Sequence, residues 1–111
     1  MYDLRVAKGR NFSVVIGLTD DNGNEYSLKT DEKLIFAVKL NAESSEYNIR
    51  KELTAADSVV GGYTLSLTAS ETDLQAMMYK YDIALKTADG LYTVVPCSSF
   101  EVIESVVNSD E

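Results

Sequence analysis

The sequence predicts an antiparallel β-sandwich. At least four stretches alternate apolar and polar residues with a period of two, which describes strands with one dry and one wet face. Turn-forming Asn, Asp and Gly residues separate them. With 111 residues and 45% hydrophobic content, the chain can bury one core and is short for two. We therefore expect one domain over residues 1–105 and an acidic, frayed tail over 106–111.

Taken in order, a short segment Tyr2 to Ala7 leads to a turn at Lys8-Gly9-Arg10. Phe12, Val14, Ile16 and Leu18 then alternate with Ser13, Gly17 and Thr19, with Val15 the one apolar residue on the outer side. Asp20 to Asn24 reads as a turn, where Gly23 can take positive φ, and Glu25 to Leu28 as a short return strand. Leu34, Phe36, Val38 and Leu40 resume the alternation. Ile35 and Ala37 make that strand apolar on both faces, which places it centrally in its sheet.

Tyr47 to Leu53 is more polar and reads as an edge strand. Thr54 to Gly62 is a connection, and Tyr63, Leu65 and Leu67 alternate with Thr64, Ser66 and Thr68. Ser70-Glu71-Thr72-Asp73 resembles a helix start, with a capping hydroxyl and acids in the first turn. This predicts one short helical turn near 70–78, with Leu74, Met77 and Met78 facing inward. The clearest alternation follows, Tyr79, Tyr81, Ile83 and Leu85 against Lys80, Asp82 and Lys86. A turn at Ala88-Asp89-Gly90, a strand from Leu91 to Val95, a break at Pro96 and a last strand from Phe100 to Glu104 complete about seven or eight strands. That count suits an immunoglobulin-like sandwich. The absence of Trp and of a cysteine pair rules out the antibody-type core of a disulfide packed on tryptophan.

Composition excludes several chemistries. Net charge is −8, from 18 acidic and 10 basic residues, and no Lys/Arg cluster is expected to offset that field locally, so neither nucleic acid nor an anionic membrane surface is an expected partner. No apolar run reaches the length of a membrane span or a signal peptide, which points to folding in a cytoplasm and removes meaning from the sequon Asn11-Phe12-Ser13. Without any histidine, Ser-His-Asp and Cys-His nucleophilic sites and imidazole-based zinc sites are excluded. The single cysteine, Cys97, sits among Val94, Val95 and Phe100 and reads as a buried, inert thiol. Asp57, Glu71 and Asp73 are the carboxylates that could form a glycosidase pair, but a domain of this size offers no deep cleft for one. Set on an EF-hand frame with Gly23 at the sixth position, Asp20 to Asn24 has Leu18 first and Lys29 twelfth, so it is read as a hairpin turn and not a metal site. No catalytic, cofactor or metal residues are expected, and the chain is read as a non-enzyme.

Aromatic residues are the better lead. Tyr63, Tyr79 and Tyr81 are in phase with core aliphatics. Tyr26, Tyr47 and Tyr92 are not, and with Ile49 and Arg50 on the polar strand they form the set of candidate contact residues.

The order of the pieces then becomes informative. Phe-x-Val-x-Ile-x-Leu-Thr-Asp-x-x-Gly (12–23), Leu-x-Phe-x-Val-Lys (34–39), Gly-Tyr-Thr-Leu-Ser-Leu-Thr (62–68), Tyr-x-Tyr-Asp-Ile-x-Leu (79–85), Asp89-Gly90 and Phe-x-Val (100–102) together resemble the immunoglobulin-like N-terminal domain of phage baseplate upper proteins. Two features depart from that pattern: Gln75-Ala76-Met77-Met78 stands where such domains often carry a glycine, and the sequence carries no long helical or adhesin region after residue 105. The resemblance implies a non-enzymatic tail or baseplate component of a phage or prophage, located in the virion or in the bacterial cytoplasm, whose partners are other virion proteins or further copies of itself. A carbohydrate-binding or adhesin-like recognition module is the alternative.

Overall fold

The computed structural model describes residues 3–20 and 22–106. Eight strands follow one another: β1 (Leu4–Ala7), β2 (Phe12–Ile16), β3 (Lys33–Lys39), β4 (Ile49–Leu53), β5 (Ser58–Val59), β6 (Gly62–Leu67), β7 (Met78–Thr87) and β8 (Gly90–Ile103). They form a five-stranded sheet in the order β1-β8-β7-β3-β4 and a three-stranded sheet in the order β2-β6-β5. All neighbours are antiparallel except β1, which runs parallel to β8. A B-E-D sheet packed on a G-F-C sheet extended by C′ is the immunoglobulin-like arrangement. The expected β-sandwich and its strand count are present.

The core forms where the inner faces of the two sheets meet. Leu34, Phe36, Val38, Ile49, Leu53, Tyr79, Tyr81, Ile83, Phe100 and Val102 come from the larger sheet, and Ile16, Tyr63, Leu65 and Leu67 from the smaller. Phe36, Tyr81 and Phe100 form an aromatic triad with ring centres 5.5, 6.0 and 6.2 Å apart. This triad fills the middle of the sandwich, where antibody domains place a disulfide against tryptophan. Two residues before Tyr81, the Tyr79 hydroxyl donates to the Gln75 carbonyl at 2.8 Å, forming the tyrosine corner of such folds. Gly62, at φ 153, passes so close to the Ile16 backbone that a Cβ would collide with it.

Edge strand β4 carries a device against slippage. Its outer residues Arg50 and Glu52 alternate with Ile49, Lys51 and Leu53, and Lys51 lies opposite Phe36 on the inner side. The Lys51 ammonium leaves the core sideways and donates to both Glu71 carboxylate oxygens at 3.1 Å. An inward charge on an edge strand penalises a one-residue shift and pairing with foreign strands.

Four expectations need correction. Residues 70–78 contain no helix; the described 3₁₀ turn is at Ala55–Asp57 instead. The signal for a helix start was real, since Thr68 and Glu71 cap each other reciprocally and the Thr72 N–H reaches the Thr68 carbonyl. The turn does not propagate: the Thr72 hydroxyl donates to Ala69 O, the Asp73 N–H reaches Ser70 O and the Leu74 N–H turns back to Thr72 O, while Lys8 and Tyr79 hold the carbonyls of Leu74 and Gln75. Leu74 packs against the core, whereas Met77 and Met78 are exposed.

The return strand 25–28 reduces to a single bridge, Thr19 to Glu25, because the chain leaves the three-stranded sheet for β3, and on the way the Leu28 N–H donates to the hydroxyl of Tyr63 on β6. Pro96 does not break β8, which bulges around it with two register shifts opposite Tyr81 to Ala84. The two added residues cancel, turning only Val95 inward, and Cys97 keeps the outward parity of Leu91 and Thr93, so it faces solvent and is not buried. Beyond Val106 the expected tail lies outside the described residues, as do Tyr2 and Asp21.

Candidate functional site

On the outer face of the five-stranded sheet, strand alternation brings together side chains that are far apart in the sequence. Lys33, Ile35, Ala37 and Lys39 project from β3, and Lys80, Asp82, Ala84 and Lys86 from β7. The antiparallel register sets Lys33 opposite Lys86 and Lys39 opposite Lys80, with Ile35 opposite Ala84 and Ala37 opposite Asp82 between them. The small floor between long rims makes an open trough of about 490 Å³, which Arg50, Tyr47, Leu91 and Cys97 also line.

The rim on the β4 side is partly neutralised. Glu52 accepts from Arg50 at 2.7 Å and pairs with Lys33 at 3.0 Å. These two bonds, Arg50 first, hold the Glu52 carboxyl below its ordinary range and keep it ionised. The Tyr47 ring lies under two cations, 4.9 Å from the Lys39 ammonium and 5.8 Å from the Arg50 guanidinium carbon. On the β7 side, neither Lys80 nor Lys86 has an ion-pair partner among the described residues.

Of the five candidate contact residues, the structure brings Tyr47 and Arg50 together at this trough. Tyr92 is exposed but lies on the opposite side of the sheet, opposite inward-phased Leu85 near the β7–β8 hairpin. Ile49 is buried, only 4% exposed, because its phase on β4 sets it opposite core residue Val38. Tyr26 is half-buried against the core, donates its hydroxyl to Glu32 at 2.7 Å and does not line this trough. That bond raises the Tyr26 hydroxyl and lowers the Glu32 carboxyl.

The expectation that no Lys/Arg cluster offsets the negative charge locally is overturned, because the cluster forms only when β3 and β7 pair. Its signal was nevertheless present: both strands carry lysines six residues apart, on the polar face of the alternation.

The carboxylates considered for catalysis have structural partners. Asp57 caps the 3₁₀ turn through the Thr54 N–H, and Asp73 pairs with Lys8 at 3.2 Å. Burial works to raise the Glu71 carboxyl, but hydrogen bonds from the Thr68 N–H and Lys51 outweigh it and leave the group lowered, opposite to what a general acid requires. In the Asp20–Asn24 turn, Asp20 Oδ1 accepts the N–H groups of Asn22 and Asn24. Among the described residues no three Asp, Glu or Cys side chains gather into a metal site, and no helix is long and apolar enough to cross a membrane.

No family model and no curated protein matches this chain. A solved Bacteroides vulgatus protein, described provisionally as a glycoside hydrolase, is similar in structure with a TM-score of 0.53 and 13% identity. The match covers 93% of this chain and 17% of that one. At that identity the likeness is one of fold alone.

Proposed function

We propose that this chain is a non-enzymatic contact module, a structural component of a phage or prophage particle, and that it meets a neighbouring subunit with the outer face of its five-stranded sheet. The observation that carries the contact reading is the trough itself: an apolar floor of Ile35, Ala37 and Ala84, open to solvent and bordered by Tyr47 and Arg50. Aromatic and arginine residues beside a small apolar patch are what protein interfaces concentrate. The particle context rests on the motif order resembling baseplate upper proteins. Mass spectrometry of particles purified from the strain that carries the gene tests both parts. We expect the wild-type chain in fixed copy number, and loss of an Ala84→Arg variant that fills the trough while keeping the wild-type melting temperature. Absence of the chain from the particles, or normal incorporation of the variant, contradicts the reading.

One observation favours a second reading, a carbohydrate-recognition module: the exposed Tyr47 ring at the mouth of the trough, in a fold that also occurs as a part of a larger protein described as a glycoside hydrolase. Against it, Tyr47 and Tyr92 lie on opposite sides of their sheet and form no common stacking platform. Glycan-array binding that Tyr47→Ala abolishes would replace the first reading with this one.

A further inference from the structure

We infer that the partner seated on this face is acidic, and that its contact segment is an extended strand with carboxylates six residues apart and apolar side chains between them. The inference rests on the contact reading above and adds the partner's chemistry. Five cations line the trough against Asp82 and the neighbouring Glu52, which pairs with Lys33 and Arg50, on a chain whose net charge is −8. Within the chain Lys33 and Arg50 are held by Glu52 and Lys39 lies over Tyr47, whereas Lys80 and Lys86 have no ion-pair partner among the described residues. Lys33 faces Lys86 and Lys39 faces Lys80 directly across the β3–β7 pair, and like charges in that position oppose strand pairing. Polar outer positions are required by the fold, but four lysines in two like-charged pairs are not. An anionic ligand converts both repulsions into attractions.

The spacing defines the ligand further. Lys33 and Lys39 are six residues apart on β3, and Lys80 and Lys86 six apart on β7. At about 3.3 Å per residue, the two lysine pairs stand about 20 Å apart along the sheet. Ile35, Ala37 and Ala84, with Asp82 beside Ala37, lie between them. An extended peptide laid along the trough matches this pattern with acids at positions i and i+6 and apolar residues at i+2 and i+4, since alternate side chains share a face. A nucleic-acid backbone fits worse, because its evenly spaced phosphates would lie over the apolar floor and the remaining surface would repel them. Lys80 and Lys86, which have no ion-pair partner among the described residues, are the cations most available to such a segment.

Calorimetric titration of the whole chain at low salt with two synthetic peptides tests this. One has glutamates at i and i+6 around two valines; the other, of identical composition, has the valines outside and the glutamates at i+2 and i+4. We expect the first to bind at least tenfold more tightly. Lys80→Glu combined with Lys86→Glu should remove that binding at an unchanged circular-dichroism spectrum, whereas Lys29→Glu, away from the trough, should leave it intact. Equal affinity for both peptides, or an undiminished affinity in the double variant, overturns the inference. So does tighter binding of a DNA oligonucleotide, which would make the face a general polyanion site, or salt-sensitive self-association by light scattering, which would make a second copy the occupant. The contact reading fails separately, if Ala84→Arg enters particles normally.

Discussion

The outer faces of the two sheets are built under the same rules and carry different chemistry. On the three-stranded sheet the outer positions of β2 and β6 are Ser13, Val15, Thr64 and Ser66, paired Ser13 with Ser66 and Val15 with Thr64. None is charged, and the two serine hydroxyls lie 3.4 Å apart. On the five-stranded sheet the equivalent positions of β3 and β7 hold four lysines in two opposed pairs. Both faces satisfy the alternation that the sandwich needs. The alternation therefore does not explain why charge accumulates on one and is absent from the other, and the proposed contact role of the larger sheet would account for the difference.

That comparison can be broken or sharpened experimentally. Removal of the shared support should be the largest effect: Phe36→Ala takes a ring out of the aromatic triad beneath the trough, and urea denaturation should show a loss of about 3–5 kcal/mol. Next comes Glu71→Gln, which removes the charged partner of Lys51, with an expected loss of about 1 kcal/mol near neutral pH. Because the folded Glu71 pKa is lowered, its contribution is present above the unfolded carboxyl value and fades as pH falls through the folded one. The gap between wild-type and Glu71→Gln urea midpoints should accordingly close on acidification.

Smaller effects separate the two faces themselves. Lys80→Glu relieves the repulsion with Lys39 and should raise stability by about 0.2–1 kcal/mol while weakening binding. On the uncharged face, Val15→Lys exchanges a half-exposed apolar side chain for a charge, and thermal melting should move by no more than about 0.5 kcal/mol in equivalent stability. A loss beyond that would mean that the smaller sheet also needs its uncharged surface.

Sheet and core were legible because period-two alternation is a local property: Phe36, Val38, Leu65, Leu67, Tyr79 and Tyr81 are buried as their phase requires. The legibility ends where long-range partners decide. Thr68 and Glu71 begin a helical turn as their sequence suggests, but the Asp73 and Leu74 N–H groups turn back to Ser70 and Thr72, and contacts from Gly9, Lys8 and Tyr79 hold the chain beyond it in another path. Val95 turns inward at a bulge that depends on how β7 and β8 register around Pro96, whereas Cys97 follows the parity that Phe100 sets and was misread from its apolar neighbours. Ile49 was misplaced for a simpler reason: on a polar strand, the alternation that assigns Arg50 to solvent assigns Ile49 to the core. The cation trough lay between these extremes, since its lysine spacing is written in each strand but its charge density exists only after β3 and β7 pair.

The central claim is that the lysines of the larger sheet oppose folding and are kept for a partner. The urea midpoint of the isolated chain at low salt, wild type against the Lys80→Glu and Lys86→Glu double variant, tests it most directly. A higher midpoint at unchanged slope in the variant is the expected result. A lower midpoint would contradict the claim, because it would show that these lysines stabilise the sandwich.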